Sequence, residues 1–147
     1  MKTKLTQRPR LPISGSKGPV LVVGDETARG IANRLADSTS VEFATADAAI
    51  AAGARSVGIE THTVDVTKAA DLAAISRDVD VAVVASGQDR TTLLVAQLLR
   101  TRCEVDHVVA GVADERHTEA FAAADITPVH LDAVLAEAVS EVLEKSR

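Results

Sequence analysis

Short apolar runs alternate with amphipathic stretches along most of this 147-residue chain. The first run, Val20-Leu21-Val22-Val23, is continuous and mostly β-branched, which is typical of a strand buried on both faces of a parallel sheet. Residues Ala28 to Leu35 then place apolar side chains at i, i+3, i+4 and i+7, the spacing of one helical face. This segment therefore predicts a strand and a helix that packs on it.

The same alternation recurs five more times. Further strands are predicted at 41–45, 61–66, 79–85, 107–112 and 128–130, and helices at 47–54, 68–76, 89–102, 115–124 and 132–145. Six consecutive βα units predict a Rossmann-like α/β fold, in which a doubly wound, parallel, six-stranded sheet carries helices on both faces.

Charge divides the chain into two parts. Residues 1–18 contain five basic residues and no acid, together with Pro9, Pro12 and two glycines, and predict a flexible basic arm before a single domain at 19–147. The rest holds all 21 acidic residues, which disfavours nucleic-acid binding. The chain has no apolar run of about 18 residues and no signal-peptide core, and its only cysteine, Cys103, suits a reducing compartment. We therefore expect a cytoplasmic protein.

The loop after the first strand, Gly24 to Gly30, is the first candidate ligand site, because Rossmann-like sheets bind ligands beyond the carboxyl ends of their strands. A full dinucleotide fingerprint would need glycines at 26 and 29, where the chain has Glu26 and Arg29. Two interpretations stay open. Either the loop still binds a nucleotide, or Asp25, Glu26 or Thr27 caps the following helix and occupies the anion site.

Asp47 lies 23 residues beyond Gly24. This is close to the spacing of about 20 at which an acid accepts a hydrogen bond from an adenosine ribose. Such an acid would repel a 2′-phosphate and favour NAD or ATP over NADP. Alternatively, Asp47 caps the helix that follows it.

Further polar residues follow the third and fourth predicted strands. Asp65, Ser86 and Gly87 stand where the crevice would open, but each is also an ordinary turn residue. Asp89 is a candidate cap for the long helix, and Arg90 either reaches a phosphate or stays solvated.

No catalytic or metal-binding pattern stands out. The four histidines, His62, His107, His117 and His130, share no close spacing, and the single cysteine has no partner, so no zinc site is expected. The chain has no tyrosine and no Gly-x-Ser-x-Gly elbow. We therefore predict that the protein is not an enzyme.

The order of these pieces resembles the TrkA N-terminal domain, the RCK/KTN-type nucleotide-binding domain of potassium-transport regulators. The resemblance spans about residues 19–145. It is carried by VLVVGDETARGIANRL at 20–35, TVDVT at 63–67, VAVVASGQDRTTLL at 81–94 and VADERH at 112–117.

This resemblance implies a regulatory domain that binds NAD(H) or an adenine nucleotide and acts on a membrane potassium transporter or channel subunit, peripheral to the inner face of the membrane. By position, the implied ligand contacts are Gly24, Asp25 and Thr27 for phosphates, Asp47 for ribose, Asp65 and Val66 for the base, and Ser86, Gly87 and Arg90 across the crevice. The broad apolar face of the last helix, at Leu131, Leu135, Ala138 and Val142, suits the homodimer expected of this family.

Two other functions remain open. A Rossmann-fold interaction scaffold that has lost its ligand would explain Glu26 and Arg29. A small NAD-dependent oxidoreductase is the third candidate, although the chain has no room for a substrate domain.

Overall fold

A computed structural model describes the backbone of residues 18–145 and their side chains except that of Asp132. The strands are β1 (Val20–Gly24), β2 (Val41–Thr45), β3 (Glu60–Thr63), β4 (Val81–Ala85), β5 (His107–Val112) and β6 (Thr127–His130). The α-helices are α1 (Glu26–Leu35), α2 (Ala48–Ser56), α3 (Ala69–Ile75), α4 (Asp89–Gln97), α5 (Thr118–Ala123) and α6 (Leu131–Lys145). Residues 1–17 of the predicted basic arm lie outside the described part of the chain.

All six strands form one parallel sheet in the order β3-β2-β1-β4-β5-β6. The strand order therefore reverses between β1 and β4, which come from the two halves of the chain. The predicted doubly wound α/β fold is confirmed.

The core consists of one apolar layer on each face of the sheet. In β1, Leu21 and Val23 belong to the larger layer, and Val22 belongs to the smaller one. All three side chains are fully buried, as the continuous apolar run predicts. Helices α1 and α2 cover the smaller layer, and α3, α4 and α5 contribute Leu72, Val95 and Phe121 to the larger one.

Several element boundaries differ from the sequence prediction. The third strand ends at Thr63 rather than at residue 66, because the Val64 N–H makes the last bond to β2 and a turn begins at Asp65. The predicted helix 89–102 changes at Leu98 to wider π-helical turns that end at Arg102. The predicted helix 115–124 begins as a 3₁₀ turn over Glu115–His117 before α5.

Helix α6 follows β6 directly and is poorly covered. From residue 133 to residue 145 every side chain is exposed, including Leu135 at 65% and Val142 at 61%. Within residues 18–145, no helix combines the length and the hydropathy that crossing a membrane requires.

Candidate functional site

A crevice of about 500 Å³ opens at the carboxyl ends of β1, β2 and β4, where the strand order reverses. This is the position at which open α/β sheets bind ligands. Its walls are formed by Gly24, Asp25, Thr45, Ala46, Asp47, Ile50, Val66, Val84, Ser86, Gly87, Gln88, Thr91, Thr92 and Val95. The crevice therefore brings together six of the nine ligand contacts predicted from the sequence: Gly24, Asp25, Asp47, Val66, Ser86 and Gly87.

Gly24 is the last residue of β1 and lies opposite Ala85 of β4. Its φ of +152° is rare for residues with a side chain, and an added Cβ would lie 1.8 Å from the carbonyl oxygen of Ala85. The first glycine of the fingerprint is thus required by the packing of the two central strands.

The carboxylate of Asp25 holds the loop after β1 and the loop after β4 together. Its Oδ1 accepts a hydrogen bond from the Thr27 N–H at 3.0 Å, which caps α1, and its Oδ2 accepts one from the Gly87 N–H at 2.8 Å. Gly87 lines the crevice and Thr27 lies at the N-terminus of α1, and backbone amides at a helix N-terminus are the usual donors to a bound phosphate. Asp25 therefore already accepts hydrogen bonds from two amides that could otherwise donate to a phosphate.

Glu26 and Arg29 stand where the missing glycines would be. They pair with each other, and the hydrogen bond from Arg29 Nε to Glu26 Oε2 is 2.8 Å long. This hydrogen bond raises the pKa of Arg29. Neither side chain lines the crevice, and Glu26 is the first residue of α1 rather than its cap. The direct obstacle to a phosphate is Asp25.

Asp47 caps α2 from the opposite wall of the crevice. Its Oδ1 accepts both capping bonds, from the Ala49 N–H at 2.8 Å and from the Ile50 N–H at 3.1 Å. Oδ2 makes no hydrogen bond within the described part of the chain. The two interpretations of Asp47 are therefore compatible, because one oxygen caps the helix and the other is available to a ribose hydroxyl.

A hydroxyl pair lies at the end of β4. Ser86 Oγ is 2.7 Å from the hydroxyl of Thr92, and Thr92 is fully buried. The same Ser86 Oγ accepts a hydrogen bond from the Gln88 N–H at 3.2 Å. These bonds fix the turn that presents the Gly87 amide to Asp25.

Three predicted contacts, Thr27, Asp65 and Arg90, do not line the crevice. Thr27 contributes only its backbone N–H to the Asp25 cap. Asp65 lies in the turn after β3, where hydrogen bonds from the Thr67 hydroxyl and N–H lower its pKa. The side chain of Arg90 is exposed and bonds to no other described residue.

Asp89 does not cap α4. Gln88 is the N-cap, and the carboxylate of Asp89, 5% exposed, accepts hydrogen bonds from the N–H groups of Ala113 and Asp114, each 2.9 Å long. His117 Nδ1 lies 2.7 Å from its Oδ2. Burial acts to raise the pKa of Asp89, but these hydrogen bonds outweigh it, so the pKa lies below its ordinary value.

The lining of the crevice carries two acidic side chains and no basic one. Its apolar part, Ile50, Val66, Val84 and Val95, contains no aromatic ring. Such a site disfavours a pyrophosphate and accommodates a neutral group better.

No protein-family model matches this sequence, and no curated protein matches it. The fold is nevertheless similar to solved structures, and two crystal structures among them illustrate the likeness. One is the NAD(P)-binding domain of an exopolyphosphatase-related protein from Archaeoglobus fulgidus, with a TM-score of 0.77 and 18% identity over 86% of this chain and 97% of that chain. The other is the TrkA-N domain of the inner membrane protein YbaL from Escherichia coli, with a TM-score of 0.72 and 11% identity over 85% of this chain and 96% of that chain.

This chain has the fold of a TrkA-N domain. The likeness predicted from the order of short motifs is thereby confirmed for the fold.

Sequence reasoning missed the bridge from Asp25 to Gly87 and the lining residues contributed by α2 and α4, such as Ile50 and Thr92. The bridge joins residues 62 positions apart, which no local motif encodes. The order of the strands was the available signal, because neighbouring β1 and β4 bring their following loops together.

Proposed function

We propose that this protein is a regulatory domain that binds an adenine nucleotide or NAD(H) chiefly through the adenosine half, without catalysing a reaction. The observation that carries the proposal is the crevice at the strand reversal, with the free Oδ2 of Asp47 on its wall. The TrkA-N fold supports it, since the similar domain from Archaeoglobus fulgidus is described as NAD(P)-binding. The lining includes no His, Lys, Cys or Tyr, which agrees with binding alone.

A thermal-shift panel of adenosine, AMP, ADP, ATP, NAD, NADH and NADPH tests this proposal. A ligand at 100 times its Kd stabilises the folded state by about 2.7 kcal/mol. We expect adenosine, ADP and NADH to raise the melting temperature more than NADPH does. If none of them raises it at millimolar concentration, the proposal is wrong.

The second candidate is an interaction scaffold that has lost its ligand. One observation favours it: both carboxylate oxygens of Asp25 bond to amides that a phosphate would otherwise use. A negative ligand panel together with a stable protein partner would support this function.

We further propose that the domain forms a homodimer through α6 and regulates a membrane potassium transporter. The dimer is supported by the exposed apolar side chains of α6. The transporter is supported only by the likeness to TrkA-N domains. Deleting the gene in the source organism should change rubidium uptake, and unchanged uptake would contradict this part of the proposal.

A further inference from the structure

Three metal-ligating side chains meet at the β3 edge of the sheet, away from the crevice. Among the strands of residues 18–145, β3 pairs only with β2, and the register places Glu42 opposite Glu60 and Ala44 opposite His62. Because side chains alternate between the faces of a strand, Glu42, Glu60 and His62 lie on the same face. Each offers one ligand atom, and these atoms lie within 4.8 Å of one another.

The cluster is held by regular backbone and is partly desolvated. Ala44, the next residue on this face of β2, is fully buried in the larger apolar layer, so the cluster lies at the margin of the core. The side chain of Glu42 is 24% exposed and that of His62 is 28% exposed, with 2.7 Å between His62 Nε2 and Glu42 Oε1. These ligands therefore project from paired strands at a fixed register.

Apart from the contact between His62 and Glu42, no basic side chain of the described residues pairs with the carboxylates of this cluster. Carboxylates directly opposite each other on neighbouring strands repel. Within residues 18–145 no Lys or Arg pairs with Glu42 or Glu60, and the carboxylate of Glu60 bonds to no other side chain. A divalent cation held by all three groups would neutralise both carboxylates.

We propose that Glu42, Glu60 and His62 bind a divalent transition-metal ion of the zinc type. One imidazole and two carboxylates without a thiolate suit Zn²⁺, whereas Mg²⁺ and Ca²⁺ prefer oxygen ligands alone. Tetrahedral zinc with bonds of about 2.0–2.2 Å holds its ligands about 3.4 Å apart. Small side-chain rotations would widen the contact between His62 and Glu42 and bring Glu60 closer. A fourth ligand to such an ion would come from water or from a group outside this cluster.

Such a site would depart from the sequence-based expectation that no zinc site exists. That expectation rested on spacing along the chain, whereas the ligands here are brought together by the pairing of two strands. The bound ion would fix the polar edge strand β3 on β2. The inference does not depend on the proposed nucleotide function.

Calorimetric titration of the full-length protein with zinc chloride, after removal of metal by a chelator, tests the site. We expect one equivalent to bind and magnesium chloride not to bind. Glu60→Gln and His62→Gln should each weaken zinc binding at least about tenfold. His107→Gln is the matched control, because His107 begins β5, three strands away from β2, and this variant should keep the wild-type affinity.

Absence of zinc binding by the wild type at millimolar concentration would overturn the proposal, as would undiminished binding by Glu60→Gln and His62→Gln. Glu60 is exposed, so Glu60→Gln should keep the fold, and circular dichroism checks this. Loss of binding in a folded Glu60→Gln protein supports the site even if His62→Gln does not fold. Titration with cobalt chloride gives a second measurement, because visible absorbance bands that need both residues would report coordination at this cluster.

Discussion

Asp25 and Asp47 both cap a helix and both line the same crevice, yet they affect a ligand in opposite ways. Asp25 uses both carboxylate oxygens, one for Thr27 and one for Gly87. Asp47 uses a single oxygen for its two capping bonds. The first residue therefore excludes an anion, and the second remains able to accept a hydrogen bond.

Asp25→Ala should improve the affinity for ADP about tenfold, because it removes a negative charge and frees two N–H donors for phosphate. The same change removes a helix cap and should cost about 1 kcal/mol of folding stability. Calorimetric titration with ADP and thermal unfolding measure the two effects. Glu26→Gln is the matched control: it removes the same charge from an exposed side chain outside the crevice and should leave the affinity nearly unchanged. Equal affinities for Asp25→Ala and the wild type would contradict this assignment.

Asp47→Ala should remove the discrimination between NADH and NADPH. If the proposed nucleotide binds in the crevice, the free carboxylate oxygen would accept a hydrogen bond from a ribose 2′-hydroxyl and repel a 2′-phosphate, so NADH should bind more tightly than NADPH. Competition binding with both cofactors measures the ratio. Tighter binding of NADPH to the wild type would show that Asp47 does not face the ribose.

At the scale of elements, the sequence predicts β1, β2 and β5 within one residue of their observed bounds, and β4 begins two residues later than predicted. The apolar runs of β1 and β5 set their bounds within a residue, since burial requires an unbroken run. The predicted third strand, residues 61–66, extends too far toward the C-terminus, because β3 spans Glu60–Thr63. Its residues, Glu60–Thr63, are all polar because it lies at the edge of the sheet, and its end is set by a hydrogen bond to β2.

Helix α6 exposes apolar side chains that a dimer would cover. Its exposed apolar side chains include Leu135 at 65%, Val139 at 48% and Leu143 at 57%. If α6 forms the dimer interface, Leu135→Asp combined with Val139→Asp should yield a monomer, because two buried like charges would face each other across the symmetry axis. Size-exclusion chromatography with light scattering measures the mass. Val57→Asp changes an equally exposed apolar residue at the end of α2 and should leave the dimer intact. A dimeric double mutant would refute the interface.

At the scale of the whole molecule, contacts between distant segments decide what the sequence cannot show. Asp89 looked like a helix cap, because short acids often precede or begin helices. Its partners at 113, 114 and 117 are 24 to 28 residues away and reach it only because β4 and β5 are neighbours. Fold class follows from local periodicity, whereas the role of a polar side chain depends on which strands lie side by side.

Protonation of Asp89 at low pH should lower the free energy of unfolding, as should protonation of other carboxylates. Its pKa is lowered in the folded state, so its contribution to stability is present above the unfolded value of about 3.9 and is lost as the pH falls through the folded value. Asp89→Asn should cost about 2 kcal/mol at pH 7, because a buried acceptor of three hydrogen bonds is impaired. Urea unfolding at pH 7 and pH 3 should show the difference from the wild type shrinking at the lower pH. A difference independent of pH would show that the charge of Asp89 does not contribute.

The carboxylate of Asp25 acts as an intramolecular competitor of a phosphate, because it already accepts the hydrogen bond of the Gly87 amide. A group tethered at such short range has an effective concentration on the order of millimolar or more, and it is never diluted. A free phosphate at micromolar concentration competes poorly with such a neighbour. Affinity gained from the phosphates should therefore stay small whatever their number. The occupancy of the crevice should follow the total concentration of ligands with an unmodified adenosine ribose rather than the ratio of ATP to ADP.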